Sequence, residues 1–213
     1  KILKNYGTIT NHKLFNSFDS TSIENYNLIT NESTGTIEIK NKFINKKTNA
    51  TNSDSVDLTN ITGHILNGGT IIHKLRLLTN NGLVTNNNNF TNKDSITISS
   101  TGVFINNNTL TNDSIITNNG RIENYSTKTI TNNRTIINNS LINNAGIFNN
   151  SHTNGVINNN LTFKNKSSGT TTNYGEFNIN TGSTFTNIGT LNNTKTSPTI
   201  SATFNVIGTL ANQ

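Results

Sequence analysis

The sequence predicts an all-β chain: a parallel β-solenoid (β-helix) of short strands with Asn-rich corners. Three observations carry this. A short unit repeats along the 213 residues; the apolar residues lack the i, i+3, i+4, i+7 rhythm of a helix; and Asn or Gly punctuates every step. The unit is clearest over residues 115–153. There Ile115-Ile116-Thr117-Asn118-Asn119-Gly120-Arg121-Ile122-Glu123-Asn124 is followed by Thr129-Ile130-Thr131-Asn132 and Thr135-Ile136-Ile137-Asn138, then by Leu141-Ile142-Asn143-Asn144 and Ile147-Phe148-Asn149-Asn150. Three consecutive blocks of thirteen residues share this grammar, and the elementary step inside them is about six residues.

The composition fits this class. Asn (47), Thr (37), Ile (27) and Ser (18) together make up well over half of the chain, while hydrophobic residues account for 30% and charged residues for 12%. Asn, Thr and Gly are poor in helix interiors. Strands of two to five residues, rich in Ile, Thr and Phe, suit them better. Hairpins are the competing β arrangement, because Asn81-Gly82, Asn119-Gly120 and Asn154-Gly155 are hairpin-turn dipeptides. A hairpin arm of two or three residues is marginal, however. The same strand stacked in register over many coils gains backbone bonds above and below, which favours the parallel solenoid.

Taken in chain order, the repeat is present from the start, in Gly7-Thr8-Ile9-Thr10-Asn11 and Gly35-Thr36-Ile37-Glu38-Ile39. It loosens at about 42–75, where Asn49, Asn52 and Gly68-Gly69 suggest longer loops over the rod. It returns in units beginning near Leu77, Phe90, Phe104, Ile115, Lys128, Leu141, Asn154, Gly169 and Thr184, and persists in Ile207-Gly208-Thr209-Leu210-Ala211-Asn212. No linker divides the chain, so residues 1–213 read as a single solenoid domain. With two or three six-residue sides per coil, it would have roughly 10 to 16 coils and a length of about 50–75 Å at the usual strand spacing.

In this arrangement the Ile, Leu, Val and Phe side chains stack inward. Asn is expected at the corners for two reasons: it tolerates the left-handed backbone region, and stacked carboxamides can bond along the axis. The expected corner and ladder residues are Asn118, Asn124, Asn132, Asn138, Asn144, Asn149 and Asn158.

No chemistry-bearing constellation emerges, so the expected sets of catalytic, cofactor-binding and metal-binding residues are all empty. Of the ten acidic residues, only Asp54 and Asp57 lie within three positions of each other, and they fall in the irregular stretch. A carboxylate pair for acid–base work would have to be built from distant acids. His12, His64, His73 and His152 are isolated, Cys is absent, and no Gly-rich phosphate loop occurs. The net charge of +6 is spread widely. Its densest cluster, Lys40, Lys42, Lys46 and Lys47, has no aromatic platform, and the chain holds just three arginines, Arg76, Arg121 and Arg134. The cluster therefore reads as a solvated loop, and no nucleic-acid partner is expected. No apolar run approaches the length of a membrane span.

Asn-x-Ser/Thr sequons number thirteen, among them Asn31, Asn60, Asn124, Asn138 and Asn192 as possible glycosylation sites. A chain this rich in Asn, Ser and Thr produces about as many by chance. Ice binding would need a Thr-x-Thr face recurring in every coil. Thr8-Ile9-Thr10, Thr129-Ile130-Thr131 and Thr170-Thr171-Thr172 are scattered along the chain rather than periodic, so the sequence does not predict it.

Runs such as Gly7-Thr8-Ile9-Thr10-Asn11, Thr117-Asn118-Asn119-Gly120-Arg121-Ile122 and Asn187-Ile188-Gly189-Thr190-Leu191-Asn192-Asn193 resemble the passenger repeats of large surface adhesins. These include the haemagglutinin-like and autotransporter-like β-helices of bacteria and the Asn-rich surface proteins of AT-rich bacteria, archaea and viruses. The resemblance covers nearly the whole chain and is compositional and repetitive. It implies a secreted or surface-displayed rod, located extracellularly or at the cell surface, and transfers no binding residue. The absence of methionine predicts a processed product or an excerpt. Both ends carry the repeat without a capping helix, so each is expected to meet flanking repeats or another copy. Head-to-tail stacking that does not close gives a filament. The expected function is a structural extracellular fibre subunit or segment. The alternative is an adhesin stalk that binds a glycan or host surface, for which exposed Tyr or Phe clustered on one face would be the mark; Tyr6, Tyr26, Tyr125 and Tyr174 do not cluster in the sequence.

Overall fold

Almost every strand is four residues long, and wherever side chains are described within the stack its second and fourth residues point inward. Ile115–Asn118 shows the rule: Ile116 and Asn118 are buried while Ile115 and Thr117 face out. A two-residue corner follows, and the next strand, Arg121–Asn124, repeats the pattern with Ile122 and Asn124 inside. Four strand residues plus two corner residues give the six-residue step. Its physical basis is the pleat, which sends alternate side chains to opposite faces.

The computed structural model describes residues 77–151, 154–194 and 202–213 in full, together with the backbone of the strands before residue 77. All strand pairs are parallel and in register, forming three sheets of eleven, ten and nine strands. The sheets are called first, second and third in that order. The chain visits them in rotation, for example through Ile115–Asn118, Arg121–Asn124 and Thr129–Asn132, before Thr135–Asn138 returns to the first sheet. A coil is therefore three-sided. The hairpin dipeptide Asn119-Gly120 joins two different sheets rather than two arms of one.

The thirteen-residue block is not the coil. Each block holds two strands, whereas a coil needs three, and equivalent strands begin at 115 and 135. Two strands with two-residue corners make twelve residues, and the rhythm reaches thirteen because the corners after Arg121–Asn124 and Ile147–Asn150 are longer, whereas those after Thr129–Asn132, Thr135–Asn138 and Leu141–Asn144 hold two residues. In the loosened stretch, Phe43–Asn45 and Asp57–Asn60 are neighbours in the first sheet. The intervening residues 46–56 lie outside those described, as do the side chains of Asp54, Asp57 and the lysine cluster.

The core is a column of second-position side chains. Ile116, Ile136 and Ile157 stack in the first sheet, and Ile122, Ile142 and Phe163 in the second. Each fully buried side chain of this size contributes roughly 1.5–3 kcal/mol. Towards the C-terminal coils the column becomes aromatic. The Phe163 ring lies 5.0 Å from Phe185 in a stacked pair and 5.1 Å from Phe148 edge-on, and Phe177 stacks on Phe204 at 5.0 Å. Thr171 is the exception, a fully buried hydroxyl in a position that its neighbours fill with Phe148 and Leu191.

Candidate functional site: the asparagine columns

The fourth residue of nearly every described strand is Asn, and within the stack its carboxamide is buried. In the second sheet these residues form one unbroken column, with each Nδ2 donating to the Oδ1 of the next coil. Asn86 donates to Asn106 at 2.9 Å, Asn106 to Asn124 at 2.9 Å, and Asn124 to Asn144 at 2.8 Å. The series continues through Asn165 and Asn187 to Asn212 at 2.8, 2.8 and 2.7 Å. The third sheet holds a parallel column from Asn92 through Asn112, Asn132, Asn150 and Asn173 to Asn193, with distances of 2.7–2.9 Å. In the first sheet Asn118, Asn138 and Asn159 stack, and Ile98 and Ile179 interrupt the column.

Each amide also ties strands to corners. The Asn124 Nδ2 reaches the Ile147 carbonyl of the following coil at 3.0 Å and the Lys128 carbonyl of its own corner at 3.0 Å. The Asn118 Oδ1 accepts the Gly120 N–H at 3.2 Å, and the Asn80 Oδ1 accepts the Gly82 N–H at 3.0 Å. One side chain thus satisfies donors and acceptors that a sharp turn would otherwise leave unpaired inside the rod. Four-residue corners close on their own backbone whether Ile or Asn precedes them, Gly102 N–H to Ser99 at 2.8 Å after Ile98 and Ser183 N–H to Asn180 at 3.0 Å after Ile179, as Gly169 N–H to Lys166 at 2.7 Å after Asn165.

This corrects one expectation about Asn. Among the described residues, positive φ occurs only at Thr127 (66°) and Gly182 (77°), so tolerance of left-handed backbone is not why Asn recurs. Of the seven expected ladder residues, Asn118, Asn124, Asn132, Asn138 and Asn144 lie in the buried columns. Asn149 and Asn158 do not. They face outward one residue before the column members Asn150 and Asn159, because the inward residues are Phe148 and Ile157 and the column residue follows two positions later. Asn158 joins an outer row instead, accepting from Asn178 at 2.9 Å, while Asn178 accepts from Asn205 at 2.7 Å.

The same geometry sorts the sequons. Asn124 and Asn138 are buried column members whose amides are already committed, whereas Asn192 is exposed. Asn31 and Asn60 end strands whose side chains lie outside the described residues.

Charged groups stay on the surface. Glu123 lies 3.6 Å from both Arg121 and Lys166 and accepts from Asn143 at 2.7 Å. With Arg121 and Lys166 about half exposed, these surface ion pairs contribute little to stability. Among the described residues no three His, Cys, Asp or Glu side chains come together as a metal site, and no helix is long and apolar enough to cross a membrane. The expected histidines, His12, His64, His73 and His152, lie outside the residues whose side chains are described. Tyr125, 50% exposed, and Tyr174 occupy different corners, while the side chains of Tyr6 and Tyr26 are not among those described. No family model, curated protein or solved structure matches this chain.

Proposed function

We propose that this chain is a structural element of an extracellular or cell-surface fibre, built from copies of itself or from flanking repeats of the same kind stacked end to end. The observation that carries the reading is the unbroken second-sheet column from Asn86 to Asn212. Along this sheet every described coil from Asn86 onward presents the next with the same amide donor and acceptor in the same register. A coil of this kind is a template for another coil, whichever chain supplies it. The axial hydrogen bonds of three sheets and their amide columns act in parallel, which suits a rod under tension along its axis. The resemblance to passenger repeats of surface adhesins supports the same placement.

Electron microscopy of the purified chain over a wide concentration range tests the proposal. Fibres of uniform width that lengthen with concentration, and whose axial repeat equals one subunit, are the expected result. Short, separate rods at every concentration would overturn self-stacking and leave a segment of a longer rod. Compact particles with no rod axis would overturn the structural reading altogether.

A further inference from the structure

Outward residues differ sharply among the three sheets. The second sheet presents Arg121, Glu123 and Lys164, and the first presents Glu176. The third sheet, from Asn89–Asn92 to Thr190–Asn193, presents no charge at all on its outer positions. Of its twelve outward residues, eight are Thr: Thr91, Thr109, Thr111, Thr129, Thr131, Thr170, Thr172 and Thr190. The rest are Asn89, Asn149, Asn192 and Ile147.

The Thr-x-Thr segments that are scattered along the chain therefore converge. Thr109 and Thr111 lie directly beside Thr129 and Thr131, and Thr170 and Thr172 follow two strands later in the same sheet. Thr8–Asn11, by contrast, belongs to the second sheet. The rows repeat about every 4.8 Å along the axis and about every 6.6 Å across it, set by strand spacing and by two residues of rise. β-Branched side chains on a pleated surface have few rotamers, so the methyl and hydroxyl groups form fixed ranks. Among the described residues, no hydrogen bond within the protein uses these eight hydroxyls. They are directed at solvent, except that Thr172 is 8% exposed.

We propose that the outer face of the third sheet binds ice, holding ordered water on its threonine ranks. The chemistry fits this ligand. A flat, rigid, uncharged lattice of alternating hydroxyl and methyl groups can anchor a water layer by hydrogen bonds while the methyls cage it, and a charged face would instead orient water around ions. The proposal is independent of the fibre reading, since it needs only this face of one chain.

The test compares the full chain with two double variants by thermal hysteresis and ice-crystal shaping, with circular dichroism as the check of folding. Thr111→Lys with Thr131→Lys places charge on neighbouring positions of the third sheet. Thr162→Lys with Thr184→Lys does the same on the second. The expected result is a freezing–melting gap and faceted crystals in the parent chain, with most of the gap lost in the third-sheet variant and retained in the second-sheet variant. No gap in the parent, or an equal loss in both variants, would overturn the proposal. So would side-by-side association of the parent that only the third-sheet variant abolishes, in the absence of any gap, because the face would then be a contact between copies.

Discussion

Asn124 and Asn144 stand one coil apart in the second sheet, both buried, with the Nδ2 of the first 2.8 Å from the Oδ1 of the second. Asn144 in turn donates to Asn165 at 2.8 Å and to the Thr170 carbonyl at 3.2 Å. A single carboxamide thus links three coils. Polarisation along such a chain strengthens each bond.

Replacing Asn144 with Ala removes the column donor of the buried Asn165 Oδ1, while the Asn124 Nδ2 keeps the carbonyls of Lys128 and Ile147. The expected loss is about 1–3 kcal/mol for the unsatisfied acceptor, read as a lower urea midpoint. Asn144→Asp isolates the effect of charge. The buried carboxyl would have a raised folded-state pKa, so its contribution is most favourable below the unfolded value and is lost as pH rises through the folded one. This variant should be less stable at pH 7 than at pH 4, relative to the parent at each pH. A pH-independent difference would argue against the column as the cause.

Thr171 is the fully buried hydroxyl of the core, its Oγ1 3.5 Å from Asn144 Nδ2. That contact is long for a hydrogen bond. Thr171→Val keeps the shape and replaces the hydroxyl with a methyl. A stabilisation of about 1 kcal/mol is expected, visible as a raised thermal midpoint. A loss of similar size would show that the hydroxyl contributes to the column.

Gly120 has no room for a side chain. A Cβ there would sit 2.2 Å from the backbone oxygens of both Gly102 and Ser99, which belong to the coil beneath. Gly120→Ala must push two corners apart, with an expected cost of about 1–3 kcal/mol. Gly182 provides the contrast. It has φ of 77° and open space around it, so Gly182→Asn should cost much less. Denaturant titrations of the two variants side by side check this.

Sequon use is predictable from burial. When the chain is produced in a glycosylating host, folded protein should carry no glycan at Asn124 or Asn138, because a sugar there would remove a column amide and could not fit inside the rod. Asn192, on the outer face, is free of that constraint. Glycopeptide mass spectrometry of the folded fraction provides the measurement. Occupancy at Asn124 in protein with native circular dichroism would contradict the buried column.

Much of this architecture is legible in the residues, and the two misplaced ladder residues, Asn149 and Asn158, share one cause. In Thr129-Ile130-Thr131-Asn132 a single apolar residue marks the inward phase, so Asn132 is identified correctly as a column member. In Ile147-Phe148-Asn149-Asn150 two apolar residues are adjacent, and either phase satisfies the pattern. The structure selects Phe148 and Asn150. The same ambiguity shifts Asn158 to Asn159 across Val156-Ile157. A rule that takes the residue two places after the inward apolar side chain would have found Asn80, Asn86, Asn106 and Asn187, which composition alone does not single out.

By itself the sequence determined the strands, their inward and outward faces and the use of Asn to close each step. These depend on the two-residue alternation of the pleat and on the chemistry of residues within a few positions of one another. Only the tertiary structure decided that a coil has three sides, and hence which residues stack. Stacking partners are set by the summed lengths of three strands and three corners, which in the first sheet carry the chain from 80 to 98 in one coil and from 138 to 159 in another. One longer corner shifts every later position around the axis. That is why a thirteen-residue rhythm folds into coils of about twenty residues, and why threonines that look scattered in the chain share one face of the rod.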